Sequence, residues 1–198
     1  MMSGKFLITG VTGNVGKEVI NLLIEKGFPV KAAVRNLAKA ESLGFRKNEI
    51  VLFDYERPET FETALADVER LFVIPPPLNP KQHDLIIPMI DMAVQSGVRH
   101  IVNISTMSVA HIENLPLAIA EQYIEKSGIA YTLLRPNWFM QNCNGYMSED
   151  IRENGAINLP AGDAKTSLID IRDIAEVSVT ALTTENHLNR KYTLTGGK

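Results

Sequence analysis

Residues 5–9, Lys-Phe-Leu-Ile-Thr, make an apolar strand pattern that runs straight into Gly10, Gly13 and Gly16, and a helical pattern follows over residues 17–26. No other feature restricts the fold as strongly. A turn that lets backbone N–H groups close on a phosphate must keep side chains out of the way. The helix behind it contributes free N–H groups and the positive end of its dipole. Strand, turn and helix in this order predict a βα unit built to hold a pyrophosphate, with Gly10, Thr12, Gly13, Asn14, Val15 and Gly16 around it. Gly16 is expected to let the first helical turn pack against the strand.

The rest of the chain repeats the alternation. Strand patterns are read over residues 29–34, 49–53, 70–74, 98–104 and 130–134, and helical stretches over 37–43, 58–66, 81–96 and 113–127. Gly27, Gly97 and Gly128 close helices, Pro75-Pro76-Pro77 stops the fourth strand, and Pro88 is expected to kink its helix. Residues 98–104 are mostly apolar, as a strand covered on both faces must be. The pattern predicts an α/β fold, a Rossmann-type doubly wound parallel sheet with helices on both faces. At 198 residues the chain is expected to be a single NAD(P)-binding domain.

Composition narrows the function classes. With 45% apolar and 22% charged residues the chain reads as an ordinary globular protein, and its formal charge of −3 argues against a basic nucleic-acid surface. The apolar run 86–94 is broken by Pro88 and Asp91, so no membrane span is expected. The first strand leaves no room for an export signal and Cys143 is a lone cysteine, which together predict a cytoplasmic protein. Cys143 is expected as a small buried side chain. His83, His100, His111 and His187 are scattered, so no metal site is predicted and each reads as a surface or capping histidine. Nothing places a serine in a nucleophile-elbow context, which leaves hydrolase chemistry unsupported.

In such a sheet the ribose is read at the end of the second strand. NAD favours a carboxylate there, yet residues 27–38 contain no Asp or Glu. Arg35 and Asn36 follow Val34 instead, and a guanidinium suits a 2′-phosphate. NADP(H) is therefore expected over NAD(H). Asp54, after the third strand, either accepts from the adenine amino group or is a turn aspartate before Pro58. Ile74 and Pro75 are expected as an apolar wall under the cofactor, Ser105 and Thr106 near the reactive ring, and Pro136 and Asn137 beside the nicotinamide. Asn103, inside an apolar strand, is read as a structural hydrogen-bonder.

Residues 9–16, 33–36 and 104–106 together resemble the NmrA-like atypical short-chain dehydrogenase/reductases. The most specific segment is 127–142, Ser-Gly-Ile-Ala-Tyr-Thr-Leu-Leu-Arg-Pro-Asn-Trp-Phe-Met-Gln-Asn, which is similar to a stretch in NADPH-dependent quinone and triphenylmethane-dye reductases of that group. Residues 167–175, Ser-Leu-Ile-Asp-Ile-Arg-Asp-Ile-Ala, match a later family segment. The resemblance covers essentially the whole chain. It implies NADP(H) binding and reduction of quinones or related conjugated acceptors.

Two departures qualify what is carried over. Typical short-chain dehydrogenases place Tyr and Lys four apart on one helix, whereas Tyr123 is followed three residues later by Lys126 and four later by Ser127. Tyr123 is therefore read as packing, and no catalytic residue is assigned. The chain also stops near the strand expected at 191–195, so the resemblance implies an abbreviated C-terminal substrate region over about 138–198. Trp138 and Phe139 are placed on the substrate side, with Trp138, Phe139 and Met140 as either core packing or a stacking surface. The expected activity is hydride transfer from NADPH to a quinone or similar acceptor. The alternative is a non-catalytic NADP(H)-binding redox sensor of the NmrA type, and a sugar-nucleotide epimerase stands third because it needs the missing Tyr–Lys pair. The expected partner is a small-molecule acceptor, with a homodimer left open and no nucleic acid or membrane.

Overall fold

Seven parallel strands form one sheet in the order β3-β2-β1-β4-β5-β6-β7. They are β1 (Lys5–Ile8), β2 (Val30–Val34), β3 (Ile50–Leu52), β4 (Val68–Val73), β5 (His100–Ile104), β6 (Ala130–Pro136) and β7 (Arg190–Leu194). The helices between them are α1 (Asn14–Glu25), α2 (Leu37–Ser42), α3 (Phe61–Leu65), α4 (Gln82–Gln95), α5 (Pro116–Lys126), α6 (Ser148–Asn154) and α7 (Ile171–Thr183). The computed structural model describes residues 4–197 except 43, 47–48, 78, 146, 159–161 and 163–164, and nothing is said of the side chains of Lys39 and Ser42. Leu43, the expected end of the second helix, thus lies outside the described residues.

Strand alternation divides the core into two layers. Phe6, Ile8, Phe72, Val102 and Leu134 face α1 and α7, meeting Val19, Ile20, Ile174 and Val179. Leu7, Leu71, Val73, Ile101 and Leu133 face the other way, onto Phe61, Ile86, Met89, Ile90 and Ile124 of α3, α4 and α5. Helices therefore cover both faces, as the alternation predicts. β1 pairs with β2 on one side and β4 on the other. The connections diverge there, which opens a crevice beyond the carboxyl ends of β1 and β4.

Several boundaries differ from the sequence expectation for local reasons. α1 begins at Asn14 rather than residue 17, because Gly13 is already the N-cap with extended backbone. α5 begins at Pro116 rather than 113, since proline suits the first helical position, where its missing N–H is not needed. α4 continues through Pro88. β6 extends to Pro136, its last residue, which pairs with Leu194 of β7. Cys143 is half-buried rather than buried.

The largest correction concerns His100, which is 1% exposed instead of at the surface. The Arg70 guanidinium, which can only donate, lies 3.0 Å from His100 Nδ1. Thr132 Oγ1 donates to the His187 carbonyl (2.8 Å), so the 2.9 Å contact with His100 Nε2 needs the ring proton on Nε2. Arg70 is also paired with Glu185. Burial, helped by the Arg70 charge, lowers the His100 pKa to about 4. Above pH 6.5 the ring is neutral in folded and unfolded chains alike. Between pH 6.5 and about 4 only the unfolded chain takes up the proton, so stability falls with pH there, by roughly 3 kcal/mol. Urea unfolding at pH 7 and pH 4.5 checks this, and a His100→Asn variant should show a flatter profile across the same window.

Candidate functional site

The turn after β1 is fixed by backbone contacts that only glycine permits. Gly10 has φ +68°, and a Cβ there would lie 3.0 Å from Ile74 Cβ. Gly13 N donates to Gly10 O at 2.9 Å. A Cβ on Gly16 would sit 2.3 Å from Gly10 O and 2.9 Å from Thr9 O, so the first turn of α1 rests on the glycine loop itself. That first turn contains no acidic residue, and no side chain caps the N-terminus. Exposed Thr12, Gly13 and Asn14 thus surround a helix start whose N–H groups are open to an anion, which fits a dinucleotide pyrophosphate. Val15 is buried, so only its backbone faces that position.

The floor beneath the turn joins three strand ends. Thr9 Oγ1 donates to Phe72 O (3.1 Å) and accepts from Ile74 N (2.8 Å). Tyr55, absent from the sequence reading, donates its hydroxyl to Ile74 O (3.1 Å) and lies 3.3 Å from Thr9 Oγ1. Burial raises the Tyr55 pKa, which keeps the phenol a donor. Its neighbour Asp54 accepts from Glu56 N at 3.1 Å, the turn role anticipated as one of two alternatives. Arg35 and Asn36 are exposed just past β2, and among the described residues Arg35 makes no ion pair. Tyr55→Phe removes the buried hydrogen bond to Ile74 O. We expect dinucleotide affinity to fall a few-fold and stability to fall by about 1 kcal/mol, read by fluorescence titration and thermal melting.

A second depression of about 280 Å³ lies beyond β5 and β6, lined by Ser105, Thr106, Asn137, Trp138, Phe139 and Asn142 among others. Ser105 Oγ is buried, with no partner among the described residues. Asn103 likewise has neither amide atom paired among them, contrary to its expected role as a structural hydrogen-bonder. Trp138 is 43% exposed, whereas Phe139 packs partly on the core, so the two substrate-side candidates part company.

A strap of chain holds this wall in place. Asn137 N donates to Leu194 O (2.9 Å), and its side-chain Nδ2 donates to Ser167 O (2.7 Å). Phe139 and Ile169 form a parallel bridge. Gln141 Nε2 donates to Asp170 Oδ1 (3.1 Å) while Gln141 Oε1 accepts from Ile171 N (3.1 Å). The Arg172 guanidinium beside Asp170 holds that carboxyl well below the usual range. The motif at 167–175 is thus the anchor of the 137–141 wall. Behind β6, Arg135 pairs with buried Glu121 of α5 through Nε (3.1 Å) and Nη2 (2.5 Å), a contact between elements that no local pattern signals. Tyr123 packs between α4 and α5 and donates to Asp91 (2.5 Å). Among the described residues no group of His, Cys, Asp or Glu could hold a metal, and no helix is long and apolar enough to cross a membrane.

Comparison with known proteins agrees with this geometry. A family model for NAD(P)H-binding proteins matches residues 10–185. The NAD(P)H azoreductase of Xenophilus azovorans is 39% identical over 196 residues, which cover 96% of this chain and 67% of that protein. The Escherichia coli NADPH-dependent quinone oxidoreductase, solved with NADPH, superposes with a TM-score of 0.85 at 29% identity, covering 96% of this chain and 69% of that one. The Citrobacter sp. triphenylmethane reductase, solved with NADP(H), gives a TM-score of 0.84 at 28% identity over 98% of this chain and 70% of that one. The chain thus spans about two thirds of the length of these relatives.

Proposed function

The chain belongs to the NAD(P)H-binding, NmrA-like family of reductases, and from that premise we propose that it is an NADPH-dependent reductase of quinones or similarly flat conjugated acceptors. One observation carries the reading: the glycine turn after β1 and the depression after β5 and β6 open at the same carboxyl edge of the sheet. When bound, NADPH supplies the hydride. The open start of α1 holds the pyrophosphate, and Arg35 selects the 2′-phosphate. Ile74 and Pro75 form the apolar wall under the cofactor. Asp54 and Asn36 border the adenosine end, while Ser105, Pro136 and Asn137 border the nicotinamide end.

Trp138 offers an exposed ring on which a planar acceptor stacks. The buried Ser105 hydroxyl, free of protein partners among the described residues, is the donor that orients a carbonyl or ring amide in the depression. No general acid is assigned, because Tyr123 is tied to Asp91 and has no lysine four residues on. Solvent water protonates the reduced acceptor. Orientation is then the protein's main contribution to rate.

The test is a fluorescence titration with NADPH and NADH, followed by addition of a simple quinone while NADPH absorbance is watched. Acceptor-dependent loss of NADPH supports the reductase. Tight binding without turnover favours the second reading, a non-catalytic NADP(H)-binding regulator, to which the missing Tyr–Lys pair also lends weight. Arg35→Ala should weaken NADPH by about 1.5–3 kcal/mol while leaving NADH nearly unchanged, as loss of a charged hydrogen bond requires. Equal losses for both cofactors would remove Arg35 from the site.

A further inference from the structure

Trp138 keeps 43% of its surface exposed, so core packing does little to fix its ring. Its neighbour Phe139 is the residue that packs on the core. The pose of the indole is therefore set through its backbone, and that backbone is gripped on both sides. Ile169 N donates to Trp138 O (2.9 Å), and Met140 N donates to Ile169 O (2.9 Å). On the far side of the strap, a Cβ at Gly196 would collide with Leu168 O, so backbone lies against backbone there too.

Gln141 closes the segment, and its amide spans two groups of opposite character. Asp170 is the N-cap of α7, and its Oδ1 accepts from Arg172 N (2.8 Å) and Arg172 Nε (3.0 Å), while Oδ2 accepts from Nη2 (2.6 Å). Those donors keep the carboxyl ionised. An ionised carboxylate only accepts and a backbone N–H only donates. The Gln141 amide therefore fits in one orientation, with Nε2 on Asp170 and Oε1 on Ile171 N. This clamp touches neither cofactor nor acceptor, yet it ends three residues from the exposed ring.

We propose that Gln141 and Asp170 are positioning residues for the acceptor, because their clamp at the start of α7 sets the pose of the Trp138 ring. The inference rests on the reductase reading above. Trp138 is the single tryptophan of the chain, so its emission reports this wall alone. Emission, its quenching by a simple quinone without NADPH, NADPH affinity, kcat, KM and thermal melting are measured for the natural protein and three variants. Gln141→Met keeps the side-chain length and removes both hydrogen bonds. Gln141→Glu sets one carboxylate against another. Gln141→Glu combined with Asp170→Asn exchanges donor and acceptor, so the clamp closes again while asparagine still caps α7. Each single variant should raise the quinone KM about fivefold, with kcat and NADPH affinity within about twofold, as loss of a buried hydrogen bond predicts. Trp138 emission and its quenching should shift with KM, and the double variant should recover most of both. A melting temperature that falls while KM and quenching stay unchanged overturns the inference and keeps the reductase reading. A double variant as impaired in KM as the single ones also overturns it. Natural protein that oxidises no NADPH with the quinone overturns the reductase reading and this inference with it.

Discussion

Gly16→Ala is expected to abolish dinucleotide binding and to lower folding stability by about 3 kcal/mol, the upper part of the usual range for overpacking. The added methyl would lie 2.3 Å from Gly10 O, 2.5 Å from Gly10 C and 2.9 Å from Thr9 O, all backbone atoms that cannot rotate away. Relief requires α1 to lift from the turn, and α1 is pinned from behind by Val19, Ile20 and Leu23 in the core. The turn must therefore deform, which moves the N–H groups of Gly13 and Asn14. Thermal melting and NADPH titration of the variant read the two effects separately. A variant that melts normally and still binds would mean that α1 shifts more freely than its packing allows. Gly13→Ala makes the contrast, because its nearest contact would be 3.3 Å, so a milder loss is expected there.

Glu121→Leu should destabilise the fold at least as much, by about 3–5 kcal/mol, because it leaves the Arg135 guanidinium without its carboxylate. Glu121 is 2% exposed, and the Arg135 side chain retains only 16% of its exposure. The Glu121 hydrogen bond is also the main reason that the Arg135 pKa is raised. Desolvation opposes the pair, so removing both charges should cost far less than removing one. Glu121→Leu combined with Arg135→Leu is expected to recover most of the loss in a denaturant series. Arg135 immediately precedes Pro136 and Asn137, so the single variant should also disturb the acceptor-side wall, with a larger effect on KM for the quinone than for NADPH.

What the sequence conveyed well is what short-range periodicity encodes. The runs around Phe6 to Ile8, Ala32 to Val34 and Ile101 to Ile104 are apolar on both faces because helices cover both, and this gives strands and fold class directly. The glycine turn was equally legible, since Gly10 and Gly16 answer to contacts within a single βα unit. Contacts made across the sheet were not. His100 looks like any strand-edge histidine until Arg70, thirty residues earlier, and Thr132, thirty-two later, are brought beside it. Tyr55 gains its role only when β1 and β4 meet below it. Asn103 showed the opposite error, because burial was anticipated and its missing partner was not. The 167–175 motif was visible as a pattern, yet its purpose, anchoring Trp138 to Gln141, is a property of two segments some thirty residues apart.

The seam between β1 and β4 has a consequence for how the protein comes into being. Thr9 meets Phe72 and Ile74 across sequence separations of 63 and 65 residues, so that seam closes a long loop. Loop closure of this kind must be met before its contacts return anything, which makes it a late and slow event during folding. On the ribosome, β1, α1, β2 and β3 emerge before β4 exists, and until then the nucleotide crevice has only one bank. A dinucleotide can grip only after the seam has shut. Once there, it acts as a brace across the join, adding about 2.7 kcal/mol at a free concentration a hundred times its dissociation constant. Cells rich in reduced cofactor would then hold more of this protein folded, and its abundance would follow the nucleotide pool before any turnover occurred.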